Sequence, residues 1–180
     1  IDDQSSGGST IKNIRFENNI FINTKGSGIA IVDADSTYIL NNTFYGMNRN
    51  VTNYVGGLVA GPTDVDVRFV MKNNVFHLNT NEYFNYCWRQ NGTLTDADVD
   101  NNLYYHPSGN EDVIWYNGTG YRTDEWTAYK SASGLDANSP TPANPLVIGI
   151  NDLRVANNSP AIGAGTPIAS ITVDFLDSTR

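Results

Sequence analysis

The sequence predicts an all-β fold built from stacked repeats, and three observations carry that reading. First, a motif of two asparagines, one variable residue and an aromatic ring returns four times. It stands as Asn18-Asn19-Ile20-Phe21, Asn41-Asn42-Thr43-Phe44, Asn73-Asn74-Val75-Phe76 and Asn101-Asn102-Leu103-Tyr104. The intervals of 23, 32 and 28 residues are those of a solenoid, in which each repeat buries its apolar face against its neighbours. Second, Ile14, Thr37, Phe69 and Ala97 stand four residues before the motif, and Phe16, Ile39, Met71 and Val99 two before it. They alternate with Arg15, Glu17, Lys72, Asp98 and Asp100, which is the period of a strand with one buried face. Third, Gly, Asn and Asp punctuate the apolar runs at every repeat.

In chain order, residues 1–10 read as a flexible lead-in. The first repeat runs from Ile11 to Ile22, turns at Lys25-Gly26-Ser27-Gly28 and continues as a third strand at Ile29-Ala30-Ile31-Val32. The order returns as Tyr38 to Tyr45 with Gly57 to Ala60, Phe69 to Leu78 with Phe84 to Trp88, and Val99 to Tyr105 with Val113 to Tyr116. Three short strands per repeat predict a parallel stack and not a set of hairpins. Asparagine tolerates the left-handed backbone region, so each pair suits a sharp corner between two strands. The second asparagine of each pair is expected to form a ladder of side-chain amides, and Phe21, Phe44, Phe76 and Tyr104 an internal stack. Insertions at Met47 to Tyr54, Asn79 to Glu82 and Gln90 to Thr95 read equally as a binding surface or as loop drift.

Beyond Tyr116 the repeat fades. Asp124 to Lys130, acidic at its start and basic at its end, predicts a short helix. Pro140, Pro142 and Pro145 make 134–145 a loop, and strands around Leu146-Val147-Ile148 and Leu153-Arg154-Val155 are expected to close the C-terminal end. The division is therefore a single domain over 1–180, with repeats at 11–116 and a closing segment at 117–180.

The pattern resembles a right-handed parallel β-helix, the pectate-lyase-like architecture of many extracellular bacterial polysaccharide-acting proteins. The tail strengthens the resemblance: Pro145-Leu146, Leu153-Arg154 and Ser159-Pro160-Ala161-Ile162-Gly163-Ala164-Gly165 are similar to the closing segment of bacterial members. Trp115-Tyr116-Asn117-Gly118, Trp126 and Leu135-Asp136-Ala137-Asn138-Ser139 fit the same ending. The resemblance implies about four to five coils of three short strands, a short helix, a loop-rich cap and a secreted or cell-surface location. It is specific for fold and weak for function, because function belongs to sites grafted on a fold.

With 11 basic against 19 acidic residues the net charge is −8, which disfavours nucleic acid and anionic membrane as partners and disfavours anionic polysaccharides unless a cation bridges the two. No stretch approaches the ~20 apolar residues of a membrane span. The start lacks both a secretory signal and an initiator Met, so an upstream catalytic domain of the same polypeptide is expected. The lone Cys87 has no disulfide partner in the chain and reads as a buried, inert thiol.

Three groups of residues are candidates for chemistry. Asp96, Asp98 and Asp100 share one outward strand face, as do Asp64 and Asp66 more briefly. Side chains ~6.5–7 Å apart along a strand can take part in a Ca²⁺ site, do acid-base work on a glycosidic bond, or solvate the surface. No cofactor is required by this reading, and Ca²⁺ is the one candidate. Arg68 and Lys72 share a face and would serve a polysaccharide lyase or glycoside hydrolase together with those carboxylates, yet the signature motifs of the pectin hydrolases are missing. His77 and His106 lie in aligned repeats and read as structural rather than catalytic.

The aromatic inventory of ten Tyr, three Trp and seven Phe exceeds what the core columns use. Parity places the column Ile22, Tyr45, His77 and Tyr105 on an outward face; Tyr86 and Trp88 share a face, and either Trp115 or Tyr116 must point out. Exposed rings on a rigid sheet suit sugars, and Tyr86 and Trp88 are the first candidates for such a platform. The expected function is a non-catalytic carbohydrate-binding module for a plant or microbial polysaccharide, a neutral one such as xylan or a β-glucan. A lyase or hydrolase is the alternative, and a structural surface or phage-fibre domain a further one.

Overall fold

A computed structural model describes residues 11–22, 27–31, 34–46, 57–61, 67–78 and 86–173. The lead-in at 1–10, the insertions at 47–54 and 79–82, and Asp64, Asp66 and Phe84 lie outside them. Strands are labelled in chain order. A first parallel sheet joins β1 (Lys12–Glu17), β4 (Asp35–Leu40), β7 (Arg68–Lys72) and β10 (Asp96–Asp100), in that order. A second joins β2 (Ile20–Ile22), β5 (Thr43–Tyr45), β8 (Val75–His77) and β11 (Leu103–Tyr105). A third joins β3 (Ile29–Ala30), β6 (Gly57–Ala60), β9 (Tyr86–Gln90) and β12 (Ile114–Tyr116), to which β13 (Thr119–Tyr121) adds antiparallel. A separate antiparallel pair, β14 (Val147–Gly149) and β15 (Asp152–Val155), completes the set.

This topology corrects the expectation of one right-handed parallel β-helix of four to five coils. Among the described residues the strands form separate sheets of four, four, five and two members, and two of the pairings are antiparallel. The corners supply the physical reason. Asn18, Asn41, Asn73 and Asn101 sit at φ 56°, 56°, 58° and 57°, in the left-handed region that turns the chain out of one hydrogen-bonded ladder before the next begins. At Asn117 and Gly118, φ is 47° and 82°, and the chain reverses into β13. An Asn-Gly pair with both φ positive is the favoured two-residue hairpin, so parallel stacking ends there.

Within each sheet the register follows the sequence columns. Ile14 pairs with Thr37, Thr37 with Phe69, and Phe69 with Ala97; Phe16, Ile39, Met71 and Val99 follow in the same way. Ile39, Phe69, Met71 and Val99 are buried, with Ile14 and Phe16 partly buried against the same core. The rings of Phe21, Phe44, Phe76 and Tyr104 stack at 4.7, 4.8 and 5.1 Å between centroids. The second asparagines form the expected ladder, with Asn19 Nδ2 donating to Asn42 Oδ1 at 3.1 Å, Asn42 to Asn74 at 3.1 Å and Asn74 to Asn102 at 2.9 Å. Their amides also donate to Phe16, Ile39 and Met71 carbonyls, so burial leaves these groups paired.

The end of the stack is closed by helix and loop. Helix α1 (Trp126–Ser133) starts after a 3-10 turn at Thr123–Glu125 and stops at Gly134, whose φ of 69° is the left-handed conformation that glycine adopts without steric cost. Trp126 and Tyr129, three apart on its buried face, lie against Tyr104, Trp88 and Tyr116. The loop then continues the last repeat without being a strand: Asp136 N–H donates to Val99 O, Ala143 N–H to Tyr104 O, and Asn102 N–H to Ser139 Oγ. The β14–β15 hairpin pairs with itself, so the cap expected of these two strands is made by α1 and the 136–143 loop.

Candidate functional site

The outward face of the second sheet carries a row of rings. In register, Ile22 aligns with Tyr45, Tyr45 with His77 and His77 with Tyr105. Tyr45 and His77 stack at 4.7 Å and 28°, and His77 and Tyr105 lie 5.0 Å apart and tilted by 55°. All three are half-buried, and Ile22 is exposed. The spacing follows from the distance between parallel strands. Because Tyr45 and His77 turn their faces to each other, their ring edges point outward. Burial holds the His77 imidazole below its ordinary pKa of 6.5, so the row is uncharged at neutral pH.

Other predicted platform residues are placed differently. Tyr86 is 2% exposed, Trp88 0% and Tyr116 2%, which removes all three from any surface platform. Trp88 packs beside Phe69 at 6.3 Å and Tyr116 at 5.9 Å, inside the core. The reason lies in β9, where Tyr86, Cys87, Trp88 and Gln90 are all buried: a strand covered on both faces gives no inside-outside signal by alternation. Burial, with the Asp112 carboxylate next in effect, pushes the Tyr86 hydroxyl up to about 12. Trp115 is the outward member of its pair, half-buried, aligned with Arg89 and opposite Gly120. Its ring leans on Tyr86 at 5.5 Å.

The charged candidates come together as ion pairs. Arg68 pairs with Asp96 and reaches Asp98 at 4.0 Å, while Lys72 pairs with Asp98 at 2.7 Å. Asp100 accepts from Asn138 N–H at 2.7 Å, from its amide at 2.6 Å and from Asn101 N–H at 2.9 Å. Each carboxylate thus has its own cationic or amide donors, and the three do not converge on a shared point. Among the described residues no group of three or more His, Cys, Asp or Glu is arranged to hold a metal ion. His106 is buried, with Nδ1 accepting from Ser108 N–H at 3.1 Å. Cys87 is buried and its thiol pushed up by desolvation, in keeping with an inert group.

No family model, curated protein or solved structure matches this chain.

Sequence reasoning missed two features outside the ring row. One is Asp136, fully buried at the end of the asparagine ladder, where Tyr104, Tyr129 and Ser139 hydroxyls donate to its carboxylate. Desolvation raises its pKa to about 6 despite those donors. The other is the C-terminal tail, which crosses the corners from the fourth repeat back to the first. Asn101 Nδ2 donates to Ala164 O at 3.0 Å, Asn73 Nδ2 to Thr166 O at 2.7 Å and Asn18 Nδ2 to Val173 O at 3.0 Å. Ile171 packs there with Leu40 and Val70 on the outer face of the first sheet. No helix among the described residues is long and apolar enough to cross a membrane.

Proposed function

We propose that the chain is a non-catalytic carbohydrate-binding module for a neutral polysaccharide such as xylan or a β-glucan, acting outside the cell. The observation that carries this reading is the uncharged row of Tyr45, His77 and Tyr105, held at 4.7 and 5.0 Å on a rigid sheet. Apolar ring surface contacts sugar C–H groups, and the hydroxyls of Tyr45 and Tyr105, which make no hydrogen bond within the described protein, pair with sugar hydroxyls. The net charge of −8 argues against pectate or alginate. Asp96, Asp98, Arg68 and Lys72, engaged with one another, give a hydrolase or lyase no assembled acid and base.

Affinity electrophoresis on xylan, β-glucan and polygalacturonate, with assays for reducing ends and unsaturated products, tests it. The expected result is retardation on a neutral glycan without product. Tyr105→Ala should weaken binding by roughly ten-fold, by analogy with ring stacking worth ~1–3 kcal/mol. Tighter binding to polygalacturonate than to xylan would overturn the reading.

A further inference from the structure

The tail does not lie flat on the corners it crosses. Between it and the asparagine corners opens a cleft of about 670 Å³, within the range of small-ligand sites. One wall is the row of corner asparagines, Asn41, Asn73 and Asn101; a second is Thr43, Val75 and Leu103; the third is the tail from Ala161 to Thr172. Thr43, Val75 and Leu103 are the outward residues of β5, β8 and β11 one pleat before Tyr45, His77 and Tyr105, so cleft and ring row occupy one sheet face ~6.5–7 Å apart.

The chemistry of the lining selects a ligand class. In a chain of net charge −8 the cleft is lined, among the described residues, by no Asp, Glu, Lys or Arg. Its polar groups are carboxamides and hydroxyls, which both donate and accept, and they stand beside apolar patches at Val75, Leu103 and Ile168. The corner amides are not saturated: Asn41 Nδ2 and Asn101 Oδ1 have no partner among the described residues, although Asn41 Oδ1 accepts from Asn73 and Asn101 Nδ2 donates to Ala164 O. An ionic ligand would be desolvated here without a counter-charge, which is costly. A peptide would need a line of backbone partners, and the tail spends its own carbonyls on the asparagines. Uncharged polyols with apolar C–H faces match both kinds of surface.

Resting on the glycan reading above, we propose that this cleft is a second sugar-binding site. It takes an uncharged oligosaccharide segment laid across the repeats, perpendicular to the strands, while the ring row contacts the neighbouring part of the same chain. The tail is then part of the binding site and not only a strap.

Amide NMR of the full chain titrated with xylohexaose and with cellohexaose tests this, alongside calorimetry of Val75→Tyr, which fills the cleft, and Thr43→Val, which removes one hydroxyl at nearly constant volume and reports on the site should the larger change unfold the protein. The expected result is shifts at the Asn41, Asn73 and Asn101 side-chain amides and at Thr166 N–H. Affinity should fall by ten-fold or more in Val75→Tyr and by about three-fold in Thr43→Val. Shifts confined to Tyr45, His77 and Tyr105, with wild-type affinity in both variants, would overturn the cleft and leave the glycan reading standing. Absence of binding to any neutral glycan would overturn both.

Discussion

At the scale of single residues, the stacked rings and Asp136 make separable predictions. Phe44 is fully buried between Phe21 and Phe76, so Phe44→Ala removes two ring contacts and opens a cavity; urea unfolding should show a loss of about 3–5 kcal/mol. Asp136 predicts a pH dependence. Its pKa, raised from 3.8 to about 6, means that the folded protein holds this proton more tightly than the unfolded chain. Its contribution to stability is therefore complete below pH 3.8 and lost as the pH rises through about 6, amounting to roughly 3 kcal/mol. His77 and His106, both lowered by burial, act the other way, their contribution being present above 6.5 and lost on acidification. Comparing wild type with Asp136→Asn from about pH 4 to about pH 8 cancels the histidines, and the variant should gain on wild type up to about pH 6 and hold that gain above it. A constant difference would refute the buried-carboxylate account.

At the scale of elements, the two asparagines of one corner have different work. Asn74 bonds along the ladder in both directions and to the Ile39 carbonyl, so Asn74→Ala strands buried donors and acceptors and should cost at least about 2 kcal/mol in the same unfolding assay. Asn73 sits at φ 58° and holds Thr166 through both its amide atoms. Asn73→Gly should keep the corner but release the tail, seen as faster proteolysis within 161–173. The corner was legible in the sequence because a repeated Asn pair has few other physical uses. The register columns were legible for the same reason. The tail was not, because it is held through the carbonyls of Ala164, Thr166 and Val173, which every sequence possesses. The β12–β13 hairpin has its signal in Asn117-Gly118, which the sequence reading placed at the start of the closing segment without assigning it a turn.

For the whole molecule, the proposed glycan binding, through an uncharged ring row and cleft on a chain of net charge −8, should be insensitive to ionic strength. Affinity for a neutral glycan should change by less than about two-fold as salt rises through the physiological range, whereas attraction to a charged polymer would be screened. Here the candidate site was only half legible. Parity alone separates the two faces of a strand but does not say which one meets water, and Tyr86 and Trp88 fell on the wrong side because neighbouring elements cover β9 on both. Tyr45, His77 and Tyr105 fell on the right side because Phe44, Phe76 and Tyr104 take the inward positions of their strands, while on the outward side only Leu103, under the tail, is buried as well.

The asparagine ladder has a polarity. Every rung passes hydrogen in one sense, from Asn19 towards Asn102, and the last amide hands it to Asp136 at 3.4 Å. The aligned amide dipoles present their positive end to the one carboxylate in the series, as a helix presents its first N–H groups to an anion. A carboxylate accepts and has nothing to pass on, so the row is read in a single direction and has a fixed terminus. A rung inserted between existing ones, donor side and acceptor side both matched, would change no neighbour's chemistry. A rung added beyond Asp136 would find no donor to receive from.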